Sequence, residues 1–176
     1  MAIDRQKTET VHWHAVFTAS RAEKKVRDRL EELGVECFLP VQTVLRQWTY
    51  RKSRVVVPVI AGLVFVRVGR QEQVKVLQTK GVVAFLRLKG EAGAAVIPDK
   101  QMEDFRFLLD FSEEAVEMTN ENIKAGDLVR VVKGSLRGME GEVIRHKGVT
   151  KVLVRIDMLG CAMVNIPASF VEKLNK

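Results

Sequence analysis

The chain has 176 residues, 47% hydrophobic and 29% charged, with a net charge of +7, an ordinary globular balance that excludes a disordered tail. It is long for one compact domain and short for two of average size, so each half can bury only a modest core. No apolar run approaches the ~18 residues of a membrane span, and Cys37 and Cys161 stand alone and far apart, which is no disulfide framework and fits a reducing cytosol.

The polar start MAIDRQKTET lacks the apolar centre of a secretory signal. Residues 13–17 alternate as a strand should. Ser20-Arg21-Ala22-Glu23 then reads as a capping box, in which the serine hydroxyl and the glutamate each satisfy an orphan backbone donor. Ala22, Val26, Leu30 and Leu33 form one helical stripe, and Gly34 is placed to end it. The apolar runs at 35–39 and 63–68 predict strands. Val74 and Leu77 mark a helix over 71–79, 82–88 predicts a further strand, and Pro98-Asp99 opens a last helix with Asp99 as N-cap. Met102, Phe105, Leu108 and Leu109 are its inner side. Helices covering a largely antiparallel sheet satisfy this order, an α+β arrangement over residues 1–111.

Residues 112–122 carry Glu113, Glu114, Glu117 and Glu121 without a basic residue, and read as an acidic linker. From 123 to 176 the pattern is all β, with short runs at 128–132, 141–145, 152–156 and 163–166 between glycine-bearing turns. Val152, Val154 and Ile156 point to one side, and Lys151, Leu153, Arg155 and Asp157 to the other. A small closed barrel removes the exposed edges of so short a sheet.

No catalytic constellation is present in this sequence. His12 and His14 flank Trp13 without cysteine or carboxylate at ligand spacing, and read as strand-edge or surface histidines rather than a metal site. Cys37 reads as a small core residue. Gly134, Gly138 and Gly141 match neither phosphate-binding fingerprint and read as turn glycines. The expectation is a protein that is not an enzyme and takes no cofactor or metal.

The positive charge suits a polyanionic neighbour. Between Cys37 and Gln71 there is no acidic residue, while Arg46, Arg51, Lys52 and Arg54 are interleaved with Trp48 and Tyr50. Guanidinium groups hold phosphates and rings stack on bases, which suits single-stranded nucleic acid. The competing reading is a solvated hairpin loop whose charges serve solubility.

Taken together, the two halves resemble the NusG family. The first half is similar to its N-terminal domain in Trp13, in Glu23-Lys24-Lys25-Val26 with Leu30, in Phe38-Leu39-Pro40, in Ala61-Gly62-Leu63-Val64-Phe65-Val66, in Lys80-Gly81-Val82-Val83-Ala84-Phe85-Leu86 and in Ile97-Pro98-Asp99. The second half resembles a KOW domain, an SH3-like barrel, in Gly126-Asp127-Leu128-Val129-Arg130-Val131, in Gly134, Gly138, Gly141 and Val143, and in Phe170-Val171-Glu172-Lys173-Leu174.

The resemblance implies a cytoplasmic, monomeric transcription elongation or antitermination factor with no membrane attachment. Its first domain would dock on the clamp coiled coil of bacterial RNA polymerase through an apolar depression at Trp13, Ile60, Leu63 and Phe65. Ala61-Gly62-Leu63 stands where the family usually has Pro-Gly-Tyr, and Ile60 is not aromatic. The segment 46–54 would meet non-template DNA or nascent RNA. The second domain would recruit Rho or a ribosomal protein through Leu136, Met139 and Leu159. These departures resemble a specialised paralogue acting on selected long operons, such as those for surface polysaccharide. A ribosome-associated KOW protein is the alternative, and an RNA-modifying enzyme a more remote one.

Overall fold

A computed structural model of the chain describes residues 9–174. The N-terminal residues 1–8, on which most of the expectation about secretion rests, lie outside them. The described residues fall into two compact units, one within 1–39 and 62–96, the other within 40–61 and 97–176.

The first unit is built on four antiparallel strands in the order β2-β5-β1-β6: β1 (His12–Thr18), β2 (Glu36–Phe38), β5 (Leu63–Val68) and β6 (Val82–Phe85). The strands at 13–17 and 63–68 therefore form as expected. Register pairs Trp13 with Arg67, Ala15 with Phe65 and Phe17 with Leu63, so these six share one face of the sheet. His14, Val16, Val64 and Val66 share the other. Helices α1 (Glu23–Glu32) and α2 (Glu72–Gln78) belong to that second face, where the Cys37 thiol meets the Arg27 carbonyl and His14 meets Gln73.

α1 buries Val26 and Leu30 but leaves Leu33 exposed. It ends as its sequence predicts, because Gly34 adopts φ +73° while the Gly34 and Val35 amides bond back to Glu31 and Leu30. The expected capping box does not form. Ala22 is the N-cap, and the buried Glu23 carboxylate instead accepts the Gly62 amide at 2.7 Å. A tertiary partner competes successfully for that carboxylate, fastening the start of β5 to α1. α2 also differs from expectation: Val76 is its buried residue, while Val74 and Leu77 face outward.

The second unit holds the hairpin β3 (Val41–Gln47) and β4 (Lys52–Pro58), helix α3 (Asp99–Phe111) and a six-stranded antiparallel sheet. That sheet runs β12-β8-β9-β10-β11-β7, with β7 (Glu117–Thr119), β8 (Asp127–Val131), β9 (Glu140–His146), β10 (Val149–Ile156), β11 (Gly160–Asn165) and β12 (Val171–Lys173). Sequence reasoning missed β3, β4, β7 and β12; all four are edge or two-stranded elements of weak pattern. The stretch read as a linker thus contains β7, which pairs with β11, and α3 groups with this unit rather than with the first sheet.

α3 buries Met102, Phe105 and Leu108 as expected, and Gln101 accepts the Asp157 amide at 2.9 Å beyond the end of β10. Its N-cap is Pro98, not Asp99, and no side chain caps it. Both faces of β10 and β11 are buried. Val152, Val154, Ile156 and Val164 line one side, whereas Leu153, Cys161 and Met163 pack with Ile123 and Ile144 on the other. Ion pairs flank that second cluster: Lys151 meets Glu117 at 2.8 Å, and Arg155 meets Glu142 at 2.6 Å.

Candidate functional site

The hairpin is the most exposed ordered element in the basic segment. Its register, Val41 with Pro58 through Gln47 with Lys52, sets Leu45, Gln47, Lys52, Arg54 and Val56 on one face and Gln42, Val44, Arg46, Ser53, Val55 and Val57 on the other. The second face is half-buried except at Arg46. Gln42 anchors the base: its side-chain amide donates to the Val116 carbonyl at 3.2 Å and accepts the Val116 amide at 2.8 Å. This pairing imitates one rung of a sheet ladder and holds the hairpin to the chain that follows α3.

At the tip, the Trp48 and Arg51 backbones exchange hydrogen bonds of 2.7 and 3.3 Å, closing a two-residue turn over Thr49 and Tyr50. Arg46, Trp48, Tyr50, Arg51, Lys52 and Arg54, the six residues predicted for nucleic acid, are therefore gathered and exposed on one element. Tyr50 is 98% exposed and Trp48 55%. The Trp48 indole N–H donates to the Ser53 hydroxyl at 3.1 Å, which folds the ring over the same face as Arg46. Leu45 and Val56, exposed on the opposite face, add an apolar strip that sequence reasoning did not single out. The alternation of 41–47 against 52–58 was the available signal.

The residues predicted to dock on polymerase are divided. Trp13, Leu63 and Phe65 share a sheet face but are buried, so they offer no free surface. Only Ile60, in the turn entering β5, is partly exposed. That turn is held by the Gly62 amide on Glu23 and by the Thr18 amide on the Gly62 carbonyl at 2.9 Å.

The loop residues of the second unit divide similarly. Leu136 and Met139 are buried, and the Met139 amide bonds the Leu136 carbonyl at 3.1 Å, so both fold inward rather than standing at a loop tip. Leu159 is half-exposed. Gly134 and Gly138 adopt φ of +80° and +93° as turn glycines should; Gly141 lies inside β9, where a Cβ would stand 2.8 Å from the Leu153 carbonyl oxygen.

Glu142, Cys161 and His14 are engaged within the fold. Arg155 holds the Glu142 carboxyl below its ordinary range, and Glu142 also accepts the Gly126 amide at 2.9 Å. Burial pushes the Cys161 thiol up, away from a reactive thiolate. His14 is not a surface histidine: it is buried, edge-on to Phe85, with Nδ1 donating to the Ala95 carbonyl at 2.8 Å. Burial holds its imidazole below the ordinary value of 6.5. Among the described residues no group of three His, Cys, Asp or Glu side chains is disposed to hold a metal, and no helix is long and apolar enough to cross a membrane.

The profile of the family described as "Transcription termination factor nusG" matches residues 11–106. No curated protein matches the chain. Among solved structures, one titled "Domain interaction in Thermotoga maritima NusG" aligns with a TM-score of 0.50 and 22% identity, covering 94% of this chain and 98% of that one. A "MjSpt4:Spt5 complex" in conformation B aligns at 18% identity over 93% of this chain and 97% of that one, but its TM-score of 0.31 is too low to bear on the fold. The Thermotoga likeness supports the mixed helix and antiparallel-sheet fold alone. The family match spans more than half of the chain and includes the first sheet and the whole hairpin, and the chain belongs to the NusG family of transcription factors.

Proposed function

We propose that the chain is a specialised NusG-type elongation and antitermination factor that docks on the clamp coiled coil of bacterial RNA polymerase. The family match over residues 11–106 carries this reading, because it takes in the strands bearing Trp13, Leu63 and Phe65 and the turn bearing Ile60. Direct contact falls to Ile60 and its turn; the buried Trp13, Leu63 and Phe65 fix the strands from which that turn emerges. An apolar side chain presented on a tethered turn suits a docking contact, since little order remains to be imposed on binding.

Such a factor acts without chemistry. A protein that binds the elongating state of polymerase better than the paused one shifts the equilibrium by its differential affinity. The basic hairpin, with its six exposed side chains, meets non-template DNA or nascent RNA nearby. Residues 123–176 act as a KOW barrel that recruits Rho or a ribosomal protein, with Leu159 at the contact and Leu136 and Met139 shaping the loops beneath it. Linkage to a docked domain raises the effective concentration of that barrel. The monomeric chain then works in the cytoplasm on selected long operons.

Binding of the full-length protein to purified bacterial polymerase tests the reading. The wild type should bind, and Ile60→Asp should weaken binding tenfold or more by placing a charge in an apolar contact, about 1.4 kcal/mol or above. A folded wild type that ignores polymerase but co-sediments with ribosomes overturns it in favour of the ribosome-associated alternative.

A further inference from the structure

We infer that the hairpin tip is a preformed stacking platform for unpaired bases, specific for single-stranded nucleic acid and indifferent to its sequence. This deepens the assignment of the hairpin to nucleic acid, and rests on it.

Three observations converge. The indole has a single donor, and Trp48 spends it within the hairpin on Ser53 at 3.1 Å, so the ring has a face to offer but no hydrogen bond with which to read a base. The same bond limits the rotamers of a side chain that is 55% exposed, which lowers the entropy lost when a base settles on it. Tyr50, 98% exposed at the turn, supplies a second ring one residue beyond Thr49. Both rings are exposed among the described residues.

The charges are arranged to match. Arg46 stands on the Trp48 face, whereas Lys52 and Arg54 stand on the opposite one, and Arg51 lies at the turn. A strand crossing the tip therefore meets a cation on either side of the rings, and the segment from 38 to 71 holds no carboxylate to repel it. A duplex keeps its base faces stacked internally and cannot use either ring. Stacking accepts every base, since each has a π-face, while the cations follow the phosphates.

The test uses the full-length chain, with an oligothymidylate of about 12 nucleotides and the same strand annealed to its complement. Trp48 also reports the event, because the other tryptophan, Trp13, is 5% exposed and shielded from quenching. The single strand should bind and quench emission, and the duplex should bind far more weakly. Trp48→Leu should weaken single-strand binding about 5- to 140-fold and abolish quenching, while Trp48→Phe restores most of the affinity. Ser53→Ala should weaken binding with an unchanged salt slope, as loss of preorganisation requires.

Equal affinity for duplex and single strand, or full affinity in Trp48→Leu, overturns the inference. If Arg51→Ala and Lys52→Ala lose binding while Trp48→Leu does not, the hairpin is a phosphate contact only. If no nucleic acid binds but Trp48→Leu releases polymerase, the tip is a protein contact; family membership and polymerase docking stand in either case.

Discussion

Burial holds the His14 imidazole below 6.5, with the hydrogen bond to the Ala95 carbonyl only partly offsetting it and neighbouring His12 adding to the depression. The neutral form is thus the one the fold prefers. Its contribution to stability is present above the unfolded value of 6.5 and is lost as pH falls towards the lower folded value. Between pH 7.5 and 5.5 the melting temperature of the wild type should drop more steeply than that of His14→Asn; parallel curves would show that His14 is not the titrating group. Gly160 offers a test free of charge. At φ +103°, an added Cβ would lie 2.1 Å from the Thr119 carbonyl oxygen on β7. Gly160→Ala should cost roughly 2–4 kcal/mol in urea unfolding, combining left-handed strain with a backbone clash.

At the scale of elements, side chains often do what backbone alone does elsewhere. Gln42 supplies a ladder rung to Val116, and Glu23 accepts an amide from the turn before β5. Gln42→Leu keeps the bulk and removes both bonds, so it should destabilise the chain by about 1–3 kcal/mol and speed hydrogen exchange at the Val116 amide. Exchange at Val116 as slow as in the wild type would show that the hairpin is anchored by packing alone. The helix starts teach a related lesson. Ser20-Arg21-Ala22-Glu23 has the spacing of a capping box, yet the half-buried Gly62 amide from distant sequence claims Glu23, because a buried carboxylate left without a partner is more costly than an uncapped, solvated helix start.

On the scale of the whole molecule, the charge of +7 separates two modes of contact. Four hairpin cations, if all meet phosphates of a single strand, give a slope of about −3 for the logarithm of affinity against that of salt concentration. An apolar contact at Ile60 is far less screened. Raising salt should therefore strip oligonucleotide from the protein while polymerase binding persists. Loss of both along the same salt curve would mean that polymerase is held by charge, and would argue against an apolar docking surface.

Periodicity and punctuation alone determined much of the fold. The strand at 63–68, the stripe of Val26 and Leu30, the end of α1 at Gly34, the buried side of α3 and the four central strands after residue 123 all follow from local pattern (an apolar run, helical spacing, a capping glycine, short apolar runs between turns), which a single segment carries in itself. The ordered motifs also pointed to the family, and the run of arginines with Trp48 and Tyr50 pointed to the hairpin. What tertiary structure decided was accessibility and partnership. Trp13, Leu63, Phe65, Leu136 and Met139 are apolar whether they form a surface or a core, and only packing placed all five inside. His14, β7 and the bond between Trp48 and Ser53 were equally beyond a local reading. Burial, edge pairing and a side-chain hydrogen bond each depend on what the folded chain brings alongside, and no alternation within one segment encodes that.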